Sequence, residues 1–160
     1  MNARSNTSIR ELVSPKVEIA LPDAAVAKVA LKMRTSDVGF VPVCEDRRVI
    51  GVVTDRDIVV RGIAEGKDPA ATPVSEIMTA DPVCVSVDAT LAEALELMRS
   101  HKIRRLPAVA VDGKIVGVLT LGDVASRGSD EMPVQEALAE IRRPQRVASS
   151  SAAPEGRGGT

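Results

Sequence analysis

Apolar residues recur three and four positions apart after Asp88, at Leu91, Ala94, Leu95 and Met98. The same stripe follows Asp23, at Val26, Val29, Ala30 and Met33. This spacing predicts an amphipathic helix in each place, with Asp88 and Asp23 as N-caps accepting from first-turn N–H groups. Downstream the pattern changes to two short β-prone runs, Leu106–Val111 and Ile115–Leu119, joined across Asp112-Gly113, a strong hairpin signal. In the first half Glu45-Asp46-Arg47-Arg48 makes the same connection, one residue shorter. Further helices are expected from Asp55 to Gly62 or Gly66, and from Leu121 to Gly128. Upstream, Val83 and Val85 share one strand face, whereas Val17, Ile19 and Leu21 alternate one place out of phase with them. A one-residue shift inverts the faces, so a bulged or shifted strand is predicted there.

The chain therefore says the same thing twice. Gly51-Val52-Val53-Thr54-Asp55-Arg56-Asp57 returns as Gly117-Val118-Leu119-Thr120-Leu121-Gly122-Asp123, and Val41-Pro42-Val43 as Leu106-Pro107-Ala108. The lead-in Ile9-Arg10-Glu11-Leu12-Val13-Ser14 returns as Val74-Ser75-Glu76-Ile77-Met78-Thr79. Each copy is one structural unit that buries its apolar face against its twin, and two related units make two related clefts. The expected organisation is a disordered N-terminus over 1–8, repeat one over 9–66, a linker over 67–73 and repeat two over 74–128. A short helix over 129–143 and a disordered tail over 144–160 complete it.

Composition narrows the chemistry. With 160 residues, 44% of them apolar, the chain can build one sizeable core. One Phe and no Tyr or Trp leave that core to Val, Ile, Leu, Ala and Met and argue against base stacking on aromatic side chains. A net charge of −1 gives no field favouring nucleic acid or an anionic membrane, and no run is apolar enough for a span or an export signal. The cytoplasm is the expected compartment. Cys44 and Cys84 form no Cys-x-x-Cys pair and read as buried reduced thiols, and a single His, His101, disfavours a zinc site. No nucleophile–base pair and no P-loop stand out, so an enzyme is not expected.

Thr-x-x-Asp at a strand-to-helix junction has an ordinary reading as a capping box. Its recurrence after Gly and two apolar residues in both repeats favours a second one: a hydroxyl and a carboxylate that suit a nucleotide. Together with the Val/Leu-Pro-Val/Ala segments and the lead-in Glu76-Ile77-Met78-Thr79-x-x-Pro82-Val83, these motifs resemble a tandem pair of cystathionine β-synthase (CBS) domains, a Bateman module. The resemblance covers Ile9 to Gly128 and is similar to small stand-alone bacterial members. It implies an α/β (α+β) fold of two β-α-β-β-α repeats, packed through their sheets with pseudo-twofold symmetry.

The resemblance also implies function: a regulatory module binding AMP, ADP, ATP or S-adenosylmethionine between the repeats and signalling to a protein partner. A homodimer is implied too, through the helices bearing the two stripes. Carried over, pocket one joins Thr54, Arg56 and Asp57 to Thr79, Val83, Ile103, Arg104 and Arg105. Pocket two joins Thr120 and Asp123 to Ser14, Val38, Gly39 and Phe40. The Asp carboxylates would accept from ribose hydroxyls, the Thr hydroxyls would donate to ligand oxygens, and backbone groups near 38–40 and 103–105 would read the adenine edge. The arginines would make pocket one the better phosphate site, although cations after a helix ending near Ser100 also complement its dipole. Phe40 is read as a core residue or as a wall closing pocket two. A CBS pair that binds no ligand and serves as a protein-interaction or stress-associated module is the alternative.

Overall fold

The computed structural model describes residues 8–127 and 132–142. In the first repeat, helix α1 (Val26–Ser36) leads into the antiparallel hairpin β1 (Phe40–Glu45) and β2 (Arg48–Thr54). A helical turn α2 (Asp55–Asp57) then widens into a π-helical stretch, Ile58–Ile63, and the chain leaves through Gly66 at φ +69°. The β-branched run Ile58-Val59-Val60 is a poor regular-helix former. The second repeat carries the short strands β3 (Thr79–Ala80) and β4 (Val85–Ser86), then α3 (Leu91–His101), β5 (Arg105–Val109), β6 (Ile115–Thr120) and α4 (Leu121–Arg127). Helix α5 (Met132–Arg142) follows. The expectations for 1–7, 128–131 and 143–160 lie outside the described residues.

The repeats exchange their lead-ins. Strand β3 of the second repeat pairs with β2 of the first, with Thr79 opposite Val52. In the symmetric place, Ser14 bridges Val118 on β6. Ile9, Leu12 and Val13 are buried in the core of repeat two, and Val74 and Ile77 in the core of repeat one. Ser8, expected in a disordered end, instead bridges Thr90 and donates its hydroxyl to the Val87 carbonyl. At the far end Arg47 and Ile115 tie the two hairpin turns together by hydrogen bonds.

The turns follow their sequences. Asp46 and Arg47 both take positive φ in the two-residue turn of repeat one, and Gly113 takes φ +78° in repeat two. The first strand of repeat one departs from expectation. It is reduced to a parallel bridge from Ala20 to Val43, the same register as β4 on β5, where Val85 faces Ala108. Ala20 is therefore the inward residue, and Leu21 is 58% exposed. Neither bulge nor phase shift is needed there, because the small Ala fills the place of Val85.

Both expected N-caps are also replaced. Thr90 caps α3 in a full capping box with Glu93, and Ala25 precedes α1 with no side-chain cap. Asp88 instead forms an exposed 2.7 Å ion pair with Arg10 of the exchanged lead-in. The Thr90 backbone N–H, then its hydroxyl, hold the Glu93 carboxyl below its ordinary range. Thr90→Ala is accordingly expected to cost about 1 kcal/mol in a denaturant melt, more than Asp88→Ala, whose exposed ion pair contributes little. The larger residues of the stripes are internal: Val26, Val29 and Met33, like Leu91, Ala94, Leu95 and Met98, are buried in their own repeats, and Ala30 is half-buried. Helix α5 lies along α3, with Leu138 buried in the core of repeat two. Cys44 is buried and Cys84 half-buried, both as free thiols, and burial pushes the Cys44 thiol up to about 11.

Candidate functional site

Two cavities lie where the repeats meet. The larger, about 650 Å³, collects every residue assigned to pocket one: Thr54, Arg56 and Asp57 from repeat one, and Thr79, Val83, Ile103, Arg104 and Arg105 from repeat two. The smaller, about 310 Å³, collects Ser14, Val38, Gly39, Phe40, Thr120 and Asp123. The exchanged lead-ins explain the composite walls, since each brings a hydroxyl residue, Thr79 or Ser14, beside the other repeat's hairpin.

The Thr-x-x-Asp motif forms the same box twice. The Asp57 N–H donates to Thr54 Oγ1 at 3.1 Å, while the Thr54 N–H and hydroxyl both donate to Asp57 Oδ2 at 2.9 Å. In repeat two the matching distances are 3.0, 3.0 and 2.6 Å. Each Thr hydroxyl thus spends its one proton on its Asp. This is the capping box of the ordinary reading, and it orients the carboxylate. The other oxygen of Asp57, Oδ1, lies 3.6 Å from Arg61 Nε. Arg61 also donates to the carbonyls of Ile77 and Met78 and to Thr79 Oγ1, clamping the exchanged lead-in onto the motif. Arg61 escaped the sequence reading because it lies one helical turn past the motif and outside the cavity wall.

The opposite wall is built by helix ends. Asp37 after α1 and Lys102 after α3 both adopt the left-handed conformation, at φ 52° and 55°. The N–H groups of Val38 and Ile103 then return to the carbonyls of Met33 and Met98. This is helix-ending geometry in which Gly is the usual residue. It turns the chain sharply, so that residues 38–40 and 103–105 face the motif of the other repeat. The carbonyls of Gly39 and Arg104 accept from the N–H groups of Asp55 and Leu121 and are already engaged. A Cβ at position 39 would come 2.8 Å from Asp55 Oδ2, which favours Gly there.

Charge separates the two cavities. Arg56, Lys102, Arg104 and Arg105 face Asp57 and Asp81 in the larger one, where His101 also lies. In the smaller, Lys16 and Arg105 face Glu18, Asp37 and Asp123. Glu18 is held below its ordinary range by the Ser36 hydroxyl and by Lys32, with Lys32 Nζ 3.4 Å away. Lys16, Glu18, Asp37, Asp81 and Lys102 were missed because no motif marks them; only the turn geometry brings them in. Phe40 is half-buried on the walls of both cavities and belongs to neither core cluster, so it is a wall and not the expected core residue. Among the described residues, no three His, Cys, Asp or Glu side chains gather as a metal site, and no helix is long and apolar enough to cross a membrane.

A CBS domain family model matches residues 9–62 and again 74–130. The chain is 36% identical over 137 residues to the uncharacterized protein YlbB of Bacillus subtilis, covering 84% of this chain and 91% of that one. Hypoxic response protein 1 of Mycobacterium tuberculosis is 31% identical over 144 residues, covering 89% of this chain and 99% of the relative. Among solved structures, the CBS domain protein PAE2072 of Pyrobaculum aerophilum, complexed with AMP, is 28% identical with a TM-score of 0.68. That alignment covers 83% of this chain and 98% of the other.

Proposed function

The chain belongs to the CBS-domain family as a tandem pair, and from that premise we propose that it is a regulatory module whose larger cavity binds an adenine nucleotide. The observation that carries this reading is the facing of an oriented carboxylate, Asp57, and a group of cations, Arg56, Lys102, Arg104 and Arg105, across one cavity of about 650 Å³. A ribose needs an acceptor for its hydroxyls and a phosphate needs charge-assisted donors, and this cavity supplies both. Val52, Val83 and Ile103 add aliphatic wall for the base, beside the one aromatic side chain, Phe40. The AMP complex of the relative PAE2072 agrees with this ligand class. S-adenosylmethionine, which carries a sulfonium and no phosphate, suits these cations less well. The role is regulatory rather than catalytic, with occupancy passed to a protein partner through the geometry of the cleft.

The test is a thermal-shift screen with AMP, ADP, ATP, S-adenosylmethionine and NADH, followed by calorimetry. Saturable stabilisation by a phosphorylated adenosine is expected, since a ligand of the folded state raises stability by mass action. Arg104→Gln should weaken it about tenfold, the loss of one charge-assisted bond. No shift with any of them at millimolar concentration would favour the second reading, a protein-interaction module. Leu31 on α1 and Val59, Val60 and Ile63 after α2 are exposed apolar side chains, and they are where we place a homodimer or partner contact.

A further inference from the structure

Among the described residues only two line both cavities, Phe40 and Arg105. They hold equivalent places in the repeats: each opens the first strand of its hairpin and pairs with the motif threonine, Phe40 with Thr54 and Arg105 with Thr120. One copy of this dividing position is an inert wall and the other a cation. Among the described residues Arg105 is in no ion pair, so its guanidinium is not committed to either side. The larger cavity keeps three other cations against two carboxylates without it. The smaller depends on it. With Glu18 balanced by Lys32, Arg105 and Lys16 are what offset Asp37 and Asp123.

We propose that Arg105 is shared between the two cavities and couples them, so that a phosphorylated ligand in the larger cavity opposes phosphate binding in the smaller one. This rests on the nucleotide reading above and adds a regulation to it. One guanidinium cannot lie against two phosphates at once. When the larger cavity is filled, Arg105 is drawn to it, and the smaller cavity is left with an excess of carboxylate. It then discriminates against a second nucleotide while still accepting an uncharged nucleoside. The module would report the ratio of nucleotide to nucleoside and not merely the presence of one of them. The coupling is reciprocal, as binding linkage requires.

The experiment is a double-mutant cycle read by calorimetry, with AMP and adenosine as probes. Asp123→Ala disables the smaller cavity and should retain single-site AMP binding; if it and the wild type bind no AMP, the nucleotide reading itself has failed. Asp57→Ala disables the larger cavity and leaves Arg105 free for the smaller. The remaining site should then bind AMP at least about 5-fold tighter than the second AMP step of the wild type. In Asp57→Ala/Arg105→Gln that gain should vanish. Adenosine binding at the smaller site should not change across the cycle, whereas a steric closure would move both probes. The proposal is overturned if AMP at the smaller site is insensitive to Asp57→Ala, if the gain survives Arg105→Gln, or if adenosine responds as AMP does. Asp57→Asn replaces Asp57→Ala should the latter fail to fold.

Discussion

Asp57→Ala should lower the affinity of the larger cavity for AMP by about 10- to 100-fold, the cost of losing a charged acceptor that pairs with a ligand hydroxyl. The same change removes the partner of Thr54 and one end of the Arg61 clamp, so a stability loss of about 1 kcal/mol should accompany it. Two comparators separate these effects. Thr54→Val deletes the hydroxyl that orients Asp57 but keeps the carboxylate; it should give the same stability loss and a smaller loss of affinity. Arg61→Gln loosens the lead-in without touching the cavity wall. Calorimetry beside an unliganded melt measures both quantities for each variant. AMP affinity within twofold of wild type in a folded Asp57→Ala would remove Asp57 from the ligand's contacts and leave it a capping residue only.

The repeated motif and the hairpin turns were legible in the sequence, because each rests on local residue chemistry or on the repeat itself; the composite pairing of each Thr-x-x-Asp with the other repeat came from the resemblance to CBS pairs. Other features rested on competition between neighbours. Asp88 and Thr90 are both good caps two residues apart, and the choice of Thr90 depends on Glu93 completing the box and on Arg10 drawing Asp88 away. Ala20 and Leu21 compete for one inward place, and the register shared with the second repeat gives it to the smaller residue. The exchange of lead-ins was beyond sequence periodicity, since Ile9, Leu12 and Val13 would pack equally well in pattern against either core. Of the two readings of Thr-x-x-Asp, the capping box is the one formed, since the nearest acceptor for the Thr54 hydroxyl, Asp57 Oδ2, is 2.9 Å away. Arg105 and Phe40 were named as candidates, but their common position between the cavities depends on how the repeats face each other.

Gly117→Ala should be the most damaging single-methyl change in the second hairpin. A Cβ at Gly117 would overlap the carbonyl oxygen of Ser14 and Cγ1 of Val13, both in the exchanged lead-in. The first of these is backbone, and it cannot turn aside. The lead-in must lift, which strains the Ser14–Val118 bridge and the burial of Val13. Overpacking of this kind costs about 1–3 kcal/mol, or roughly 2–10 °C in melting temperature for a chain of this size. Its twin supplies the control. A Cβ at Gly51 would meet Sδ of Met78, the movable end of a flexible side chain. Gly51→Ala also restricts the unfolded chain, which offsets part of the cost, so it should lose less than half as much. The motif glycines are then explained by the close passage of the other repeat's lead-in over each hairpin. Ser14 lines the smaller cavity alone, so Gly117→Ala should weaken adenosine binding there while AMP binding in the larger cavity persists. Equal melting temperatures for the two variants, or a greater loss in Gly51→Ala, would refute the exchanged packing as the reason for these glycines.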